Sequence, residues 1–276
     1  MTATTTRPPG DDADTATDTV GWPAALAELS RRSIIGTARK PQNWLPGMFF
    51  PLMLAAVYSS QFAKAVDLPA FPYDDITFLD FILPASILQG VAFGSIGGAS
   101  DLAIDIENGF MDRLVSSPVA RPVILLGRLA GSVAFAMAQA VFFLVIFLAF
   151  GAELRGGVAS GIAIMVVSAG LALGLGGLGA AIALRTGSQE VVQSIFPLIF
   201  VMIFVSSAFF PVPLMEGWYG DLAAANPITW IIDPTRRLSV EGFAWSDVGQ
   251  AVGLSAVLAV IGVAVAFGQL RHRVAQ

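Results

Sequence analysis

The stretch ILLGRLAGSVAFAMAQAVFFLVIFLAF, residues 124–150, contains a single charged side chain, that of Arg128. A helix needs about 20 mostly apolar residues to cross the roughly 30 Å hydrocarbon layer of a membrane, so this stretch predicts a transmembrane helix. Because backbone polar groups in lipid must be paired within the segment, helices are expected for all such runs, and the predicted fold is an all-α integral membrane protein with six transmembrane helices. The five other runs are residues 44–62, 78–98, 158–184, 191–210 and 248–270.

The composition excludes several other classes of protein. Of the 276 residues, 55% are hydrophobic and 13% are charged, whereas an ordinary soluble domain carries roughly 25% charged residues. A soluble fold of this composition would expose large apolar patches. No basic patch with interleaved aromatic residues points to nucleic acid. The sequence has no cysteine, and its one histidine, His272, lies in a basic C-terminal tail.

Four regions follow from the composition along the chain. Residues 1–20 are polar and acidic and predict a disordered cytoplasmic tail. Residues 21–43 place apolar side chains at helical spacing beside basic ones, which indicates an amphipathic helix on the inner membrane surface; a plain juxtamembrane linker is the alternative. Residues 44–270 form the six-span transmembrane domain, and residues 271–276 form a cytoplasmic C-terminal tail.

The placement of lysine and arginine predicts the orientation. Inner loops of membrane proteins carry an excess of these residues. With both termini in the cytoplasm, eleven of the 15 lysines and arginines lie on the inner side. The outer side then holds the other four, which are Lys64, Arg155, Arg236 and Arg237. We therefore expect a multi-pass membrane protein with both termini cytoplasmic.

Glycines recur at four-residue spacing in three of the predicted spans. Such faces let helix backbones approach closely, either within the chain or at a subunit interface. Pro84 and Pro197 are expected to kink their helices. The three glycine faces begin at Gly90, Gly127 and Gly170.

The sequence carries no machinery for hydrolysing ATP and no catalytic motif. It has no phosphate-binding loop, and its lysines are Lys40 and Lys64. The strongest polar residues within the spans are Gln89, Gln139 and Gln193, which would form interhelical hydrogen bonds or contact a substrate. A passage with so few charges suits a hydrophobic or amphipathic molecule. The energy for transport must then come from a partner.

Two segments resemble the ABC type-2 transporter permease family. The first is DIENGFMDRLVSSPVARPVILLGRL, residues 105–129, which resembles the cytoplasmic loop of these permeases. The second comprises SSAFFPVPLMEGW and NPITWIIDPTRRL, residues 206–218 and 226–238, which resemble their external segment. Phe110 stands where the family often has threonine or serine. Within the family, the sequence is similar to the daunorubicin-resistance type of exporter. The matching residues are Glu107, Gly109, Asp112, Arg113, Leu114, Ser117, Pro118, Arg121, Asn226, Pro227, Thr229, Asp233 and Arg236.

The resemblance implies partners and a coupling site. It implies two permease copies, most simply a homodimer, each with a separate ABC ATPase subunit that binds ATP and Mg²⁺; this chain itself binds no cofactor or metal. Between spans 2 and 3 it implies a cytoplasmic coupling helix near residues 105–116, with Ile106, Phe110 and Leu114 on an apolar docking face. A solvated loop is the alternative. The expected coupling residues are Asp105, Ile106, Glu107, Gly109, Phe110, Asp112, Arg113 and Leu114.

Between spans 5 and 6, two apolar pieces bounded by prolines indicate short external re-entrant helices, and their position alone leads to the hypothesis of an outer gate. Asp233 and Arg236 are spaced to pair on one helix, and as an exposed pair they would contribute about 0–1 kcal/mol. The expected gate residues are Pro211, Pro213, Asn226, Pro227, Asp233 and Arg236.

The sequence thus predicts the membrane subunit of an ATP-driven exporter of a hydrophobic drug or natural product, in contact with membrane lipids. Two alternatives remain. One is an exporter of a lipid or lipid-linked glycan in the same family, and the other is an energy-independent carrier or scaffold.

Overall fold

The computed structural model describes residues 22–115 and 121–274, which fold into a bundle of α-helices. The predicted disordered tail lies outside these ranges, as do Ser117 and Pro118. Short 3₁₀ turns occur at Ala65–Asp67 and Val212–Leu214, and no β-strand occurs in the described ranges. The helices are α1 (Trp22–Ala38), α2 (Pro41–Gln61), α3 (Phe78–Glu107), α4 (Phe110–Val115), α5 (Arg121–Ala149), α6 (Gly157–Thr186), α7 (Gln189–Gln193), α8 (Phe196–Phe204), α9 (Gly217–Ala225), α10 (Pro227–Val240) and α11 (Trp245–Val274).

Four of these helices are long and apolar enough to cross a membrane, as the sequence predicts. They are α3, α5, α6 and α11. The first predicted span corresponds to the 21-residue helix α2. The described residues are therefore helical and agree with an integral membrane protein, whereas the count of six spans stays a prediction.

Helix α3 is the centre of the bundle. In its most apolar stretch 89% of the residues are buried, compared with 28% in α11. Helices α2, α5, α6 and α10 pack around it. Since α3 is apolar on every side, its sequence suits a helix enclosed by others.

The glycine faces pack helices within the chain. A Cβ atom at Gly177 in α6 would lie 2.5 Å from the carbonyl carbon of Gly262 in α11, so the two backbones are in direct contact. Gly127 and Gly131 in α5 receive Leu29 and Ser33 of α1. The intramolecular alternative therefore accounts for these two faces.

The expected fifth span, residues 191–210, is wrong as a single helix. The structure has the short helix α7, a break at Ser194 and Ile195, and α8. Pro197 in the first turn of α8 has no N–H to continue an upstream helix, and the Ser194 hydroxyl donates to the Val191 carbonyl oxygen, 2.7 Å away. Helix α8 ends at Phe204, six residues before the expected boundary.

The predicted end of the second span at residue 98 is also wrong. Helix α3 continues to Glu107 because Ala99, Leu102, Ala103 and Ile106 extend its buried face at helical spacing. The segment between α3 and α5 is correspondingly short, and it contains α4.

The connections gather at two ends of the bundle. At one end the Glu153 N–H donates to Asp80 Oδ1 at 2.6 Å, and the Arg155 N–H donates to the Ser239 carbonyl oxygen at 2.9 Å. We call this the outer end, following the predicted orientation. At the other, inner end, the Arg273 guanidinium donates to the Leu184 carbonyl oxygen at 3.2 Å.

Candidate functional site

The coupling residues divide between two helices rather than forming one. Asp105, Ile106 and Glu107 make up the last turn of α3, and α4 begins only at Phe110. Gly109 turns the chain between them with a φ of 66°, a left-handed conformation that favours glycine. A single helix over residues 105–116 is therefore wrong, because α3 ends at Glu107 and the separate helix α4 has six residues; the coupling role of this segment stays a prediction.

The apolar docking face predicted for Ile106, Phe110 and Leu114 does not form as expected. Ile106 is only 6% exposed and packs into the core of the inner end. The half-buried Phe110 ring lies under the Arg32 guanidinium of α1, 4.1 Å from the ring centroid. Glu107 and Arg113 are exposed, which leaves charged groups at this surface. The side chains of Asp112 and Leu114 lie outside the described part of the chain.

Glu107 joins the coupling segment to the broken fifth segment. Its Oε1 accepts a hydrogen bond from the Gln189 N–H at 2.8 Å, at the first residue of α7. A carboxylate at a helix N-terminus is stabilised by the unpaired N–H groups there. This hydrogen bond connects the end of α3 directly to the start of α7.

Sequence reasoning missed a polar junction that holds α1 at the inner end. Lys40 pairs with the buried carboxylate of Asp101 at 2.7 Å, and Arg128 pairs with Asp105 at 2.9 Å. The Ser33 hydroxyl donates to the Arg128 carbonyl oxygen at 3.2 Å. These partners lie far apart in the sequence, so only the fold reveals them. Helix α1, which covers residues 22–38 of the predicted amphipathic segment 21–43, is thus bound to α5 through Ser33, and Lys40 directly after α1 is bound to α3.

At the outer end, α9 and α10 capture the end of α8. The Asn226 side chain donates from Nδ2 to the Met202 carbonyl oxygen at 2.7 Å and caps α10 by accepting from the Ile228 N–H at 2.9 Å. The Tyr219 hydroxyl donates to the Phe204 carbonyl oxygen at 2.7 Å. Carbonyls in the last turn of a helix need such partners. Pro227 follows Asn226 in the first turn of α10, while Pro211 precedes the 3₁₀ turn Val212–Leu214 and Pro213 lies within it.

The expected pair of Asp233 and Arg236 forms at 3.0 Å, but Arg236 is not exposed. Only 1% of Arg236 is accessible. Its guanidinium donates to the carbonyl oxygens of Phe81 (3.0 Å) and Ser207 (2.6 Å), and it lies 3.9 Å from the centroid of the Phe81 ring. Asp233 also accepts from the Ser207 hydroxyl at 2.6 Å. Burial raises the pKa of the nearby Tyr73 phenol, and the Arg236 charge opposes that rise.

The three glutamines have different environments. Gln139 donates from Nε2 to the Gly47 carbonyl oxygen at 3.0 Å. This bond links α5 to α2, which is the interhelical role expected from the sequence. Gln193 is exposed at the end of α7. Gln89 is 2% exposed on α3, and its Nε2 has no hydrogen-bond partner in the described ranges. It lines an apolar cavity of about 450 Å³.

Comparison with known proteins identifies the family. The sequence model of the ABC-2 type transporter family matches residues 24–238. The chain belongs to this family. The match runs from α1 to α10, so it includes the coupling segment, the Arg236 cluster and all three glutamines.

Relatives of this ABC-2 chain carry transport names. It is 26% identical over 225 residues to the putative transport permease ycf38 of Cyanophora paradoxa, which covers 77% of this chain and 73% of that one. It is also 26% identical over 218 residues to the daunorubicin resistance ABC transporter permease protein DrrB1 of Streptomyces coeruleorubidus, with 78% and 73% covered. The ycf38 permease of Porphyra purpurea is 23% identical over 266 residues, with 90% and 89% covered.

Membership in the family defines the general role of the chain. ABC-2 permeases are membrane transport subunits that work with ABC ATPase subunits. The chain is therefore a transport subunit and not itself the ATPase. The resemblance drawn from residues 105–129 and 206–238 is confirmed by the family match.

Proposed function

We propose that this chain is the membrane subunit of an ATP-driven exporter that moves a hydrophobic drug or natural product out of the cell. Two copies, each with an ABC ATPase that binds ATP and Mg²⁺, form the transporter in the bacterial plasma membrane, with both termini cytoplasmic. The relative named for daunorubicin resistance supports a drug or natural product as substrate. The scarcity of charge inside the bundle supports a hydrophobic one.

The observation that carries this proposal is the connection between the coupling segment and the fifth segment. Arg113 on α4 is exposed and available to a partner, and Glu107 holds the first N–H of α7 at 2.8 Å. Closure of the ATPase subunits pushes on α4 and the end of α3, and the Glu107 contact passes the displacement to α7 and α8. The chain leaves helical structure at Gly187 and Ser188, between α6 and α7, so the fifth segment can move without dragging α6.

At the outer end, the same displacement reaches the gate. Asn226 binds the last turn of α8, and Arg236 binds the turn that follows it through the Ser207 carbonyl oxygen. A shift of α8 therefore pulls on α9 and α10. We assign Pro211, Pro213, Asn226, Pro227, Asp233 and Arg236 to this outer gate.

Co-purification and export from the same cells test the proposal. The tagged chain is co-expressed with candidate ABC ATPases, and both recovery of the ATPase and drug accumulation are measured. Reversing the exposed charges with Glu107→Lys and Arg113→Glu should lower ATPase recovery and export by about tenfold, equivalent to about 1.4 kcal/mol of lost association. Arg31→Glu is the matched control, because Arg31 is an exposed cation at the same end and its salt-bridge partner, Glu28, lies on its own helix.

Two results contradict the proposal. One is the absence of any co-purifying ATPase together with unchanged export in Glu107→Lys and Arg113→Glu. The other is export that continues after ATP is depleted, which would indicate an energy-independent carrier. Export of phospholipid rather than drug from the same cells would place the substrate among the lipids.

A further inference from the structure

An apolar cavity lies between α3, α6, α8, α10 and α11. Its volume is about 450 Å³. Ligand sites for small molecules have volumes of roughly 300–1,000 Å³ and mostly apolar walls with few polar groups. Its walls are almost entirely aliphatic, with Leu88, Ala92 and Ile96 from α3, Leu171 and Leu175 from α6, and Ile199 from α8.

One polar side chain lines this cavity, that of Gln89. Its Nε2 is buried and has no partner among the described residues. A buried donor without an acceptor retains its desolvation penalty, which a bound acceptor would remove. The lining residues include no aspartate, glutamate, lysine, arginine or histidine. A bound molecule therefore meets a hydrogen-bond donor but no countercharge.

The broken fifth segment supplies one wall of the cavity. Ile195 at the break and Leu198, Ile199 and Met202 on α8 all line it. Non-helical backbone within a membrane is tolerated where it is buried in protein or lines a cavity, and interrupted helices mark binding sites in other transporters. The same segment is held at its inner end by Glu107. The wall of the cavity is therefore the element that the coupling segment contacts.

We propose that this cavity binds the transported molecule, which is a neutral hydrophobic compound whose carbonyl or ether oxygen accepts a hydrogen bond from Gln89 Nε2. This assignment rests on the proposed export function and specifies its substrate class. A hydrocarbon lipid tail would fill the apolar walls but would leave Nε2 without an acceptor. A second copy of the chain would have to insert between α3 and α11 while bringing its own acceptor.

Binding of two neutral fluorescent probes tests the role of Gln89. Nile red carries a carbonyl acceptor, whereas 1,6-diphenylhexatriene is a hydrocarbon without one. The full-length chain is placed in phosphatidylcholine nanodiscs, and the signal of empty nanodiscs is subtracted. We expect saturable binding of both probes. Gln89→Leu should weaken Nile red binding about five- to tenfold, as expected for one buried hydrogen bond, and leave diphenylhexatriene binding unchanged.

Two further variants separate the cavity from general effects on folding. Ala92→Leu fills the cavity from α3 and should reduce the binding of both probes while the thermal midpoint is kept or raised. Gln139→Leu removes the matched buried glutamine outside the cavity and should change neither affinity. Gln89→Leu removes an unpaired donor, so its thermal midpoint should not fall.

Several outcomes would overturn the assignment. Equal Nile red affinity in the wild type and in Gln89→Leu excludes the hydrogen bond. Probe signal that never saturates, with a co-purified phospholipid that disappears in Ala92→Leu, assigns the cavity to a lipid. If Ala92→Leu prevents dimer formation but does not change probe binding, the cavity is an interface between two copies of the chain. All these measurements need no ATPase, so their failure leaves the co-purification test of the proposed function intact.

Discussion

Arg236 shows how one side chain can hold the outer end together. A guanidinium with 1% exposure must satisfy its donors inside the protein, and it does so on α3, on the turn after α8 and on Asp233. Burying a charge is costly unless it is paired and hydrogen-bonded. The planar guanidinium can donate hydrogen bonds in three directions at once, and a lysine ammonium does not have this geometry.

Removal of this guanidinium should destabilise the protein strongly. Arg236→Met leaves the carbonyl oxygens of Phe81 and Ser207 and the carboxylate of Asp233 without this donor. Since each lost buried hydrogen bond costs about 1–3 kcal/mol, we expect a loss of about 3 kcal/mol in the free energy of unfolding. Thermal denaturation of the purified protein in detergent measures the change.

The neighbouring Arg237 is the matched control. It pairs with Asp247 at 2.7 Å, and its side chain is 31% exposed. A pair that is partly screened by solvent contributes about 0–1 kcal/mol, so Arg237→Met should have a small effect. If the two substitutions lowered the free energy of unfolding equally, the buried contacts of Arg236 would contribute no more to stability than the partly exposed pair of Arg237.

The sequence predicted this pair but not its burial. The spacing of Asp233 and Arg236 on one helix indicates a contact, because residues three apart are neighbours on a helix. The burial depends on Phe81 and Ser207, which are 155 and 29 residues away from Arg236 along the chain. No local pattern reports such partners. For the same reason, the Lys40 and Asp101 pair was not predicted.

At the scale of helices, the contact between α6 and α11 is decided by glycine. A Cβ atom at Gly262 would overlap the backbone of Gly174, and one at Gly174 would lie 2.5 Å from Leu258 Cγ. The two helices therefore approach as closely as their backbones allow. In lipid such approach replaces the hydrophobic effect as the main source of helix association.

A single methyl group should weaken this contact. In Gly262→Ala the clash is with backbone, which cannot rotate away, so the helices must separate, and we expect a loss of about 1–3 kcal/mol, as for other overpacked sites. Thermal denaturation in detergent measures it.

The matched control on α11 is Gly268→Ala. No heavy atom lies within 4 Å of a Cβ atom at Gly268, so alanine should stabilise the helix by about 0.5–1 kcal/mol through its better helix propensity. A loss of stability in both variants would indicate that α11 tolerates no substitution rather than that the α6 contact is tight.

The helices were predictable where hydrophobicity alone decides them. The ends of α5, α6 and α11 lie within a few residues of the expected spans, because long apolar runs have one stable structure in lipid. The prediction of the fifth segment as one helix was wrong because Ser194 and Pro197 break its backbone hydrogen bonding. A prediction from hydrophobicity alone assumes that this bonding is continuous. The end of α3 at Glu107 was not predicted, because the charged residues of its last turns are typical of a loop. One face of these turns is nevertheless buried.

For the whole molecule, the fifth segment also decides the number of crossings. The 16 residues of Gln189–Phe204 span at most about 24 Å as a helix, less than the roughly 30 Å hydrocarbon layer. The remaining distance must be covered by the turn from Val205 to Phe210. The hydrogen bonds from α9 and α10 to the end of α8 place that turn at the outer end.

Single-cysteine labelling tests both orientation and crossings, since the native sequence has no cysteine to give background. A membrane-impermeant maleimide on intact cells should label Asp74→Cys and Glu216→Cys, which are exposed at the outer end. Arg39→Cys and His272→Cys, exposed at the inner end, should react only after permeabilisation. The excess of lysine and arginine at the inner end is the physical reason for this orientation.

Each pattern of labelling has one consequence for the molecule. The opposite result at all four positions would reverse the orientation and place the coupling segment away from the ATPase and its ATP. Labelling of Asp74→Cys and His272→Cys without Glu216→Cys would mean that the fifth segment enters the membrane and returns, because α11 would then cross in the opposite direction. The cavity beside Gln89 would then open toward the cytoplasm only. Labelling of Asp74→Cys and Glu216→Cys, with the inner pair protected, requires α7, α8 and the following turn to reach from one surface to the other, which is the path a substrate bound at Gln89 would need for export.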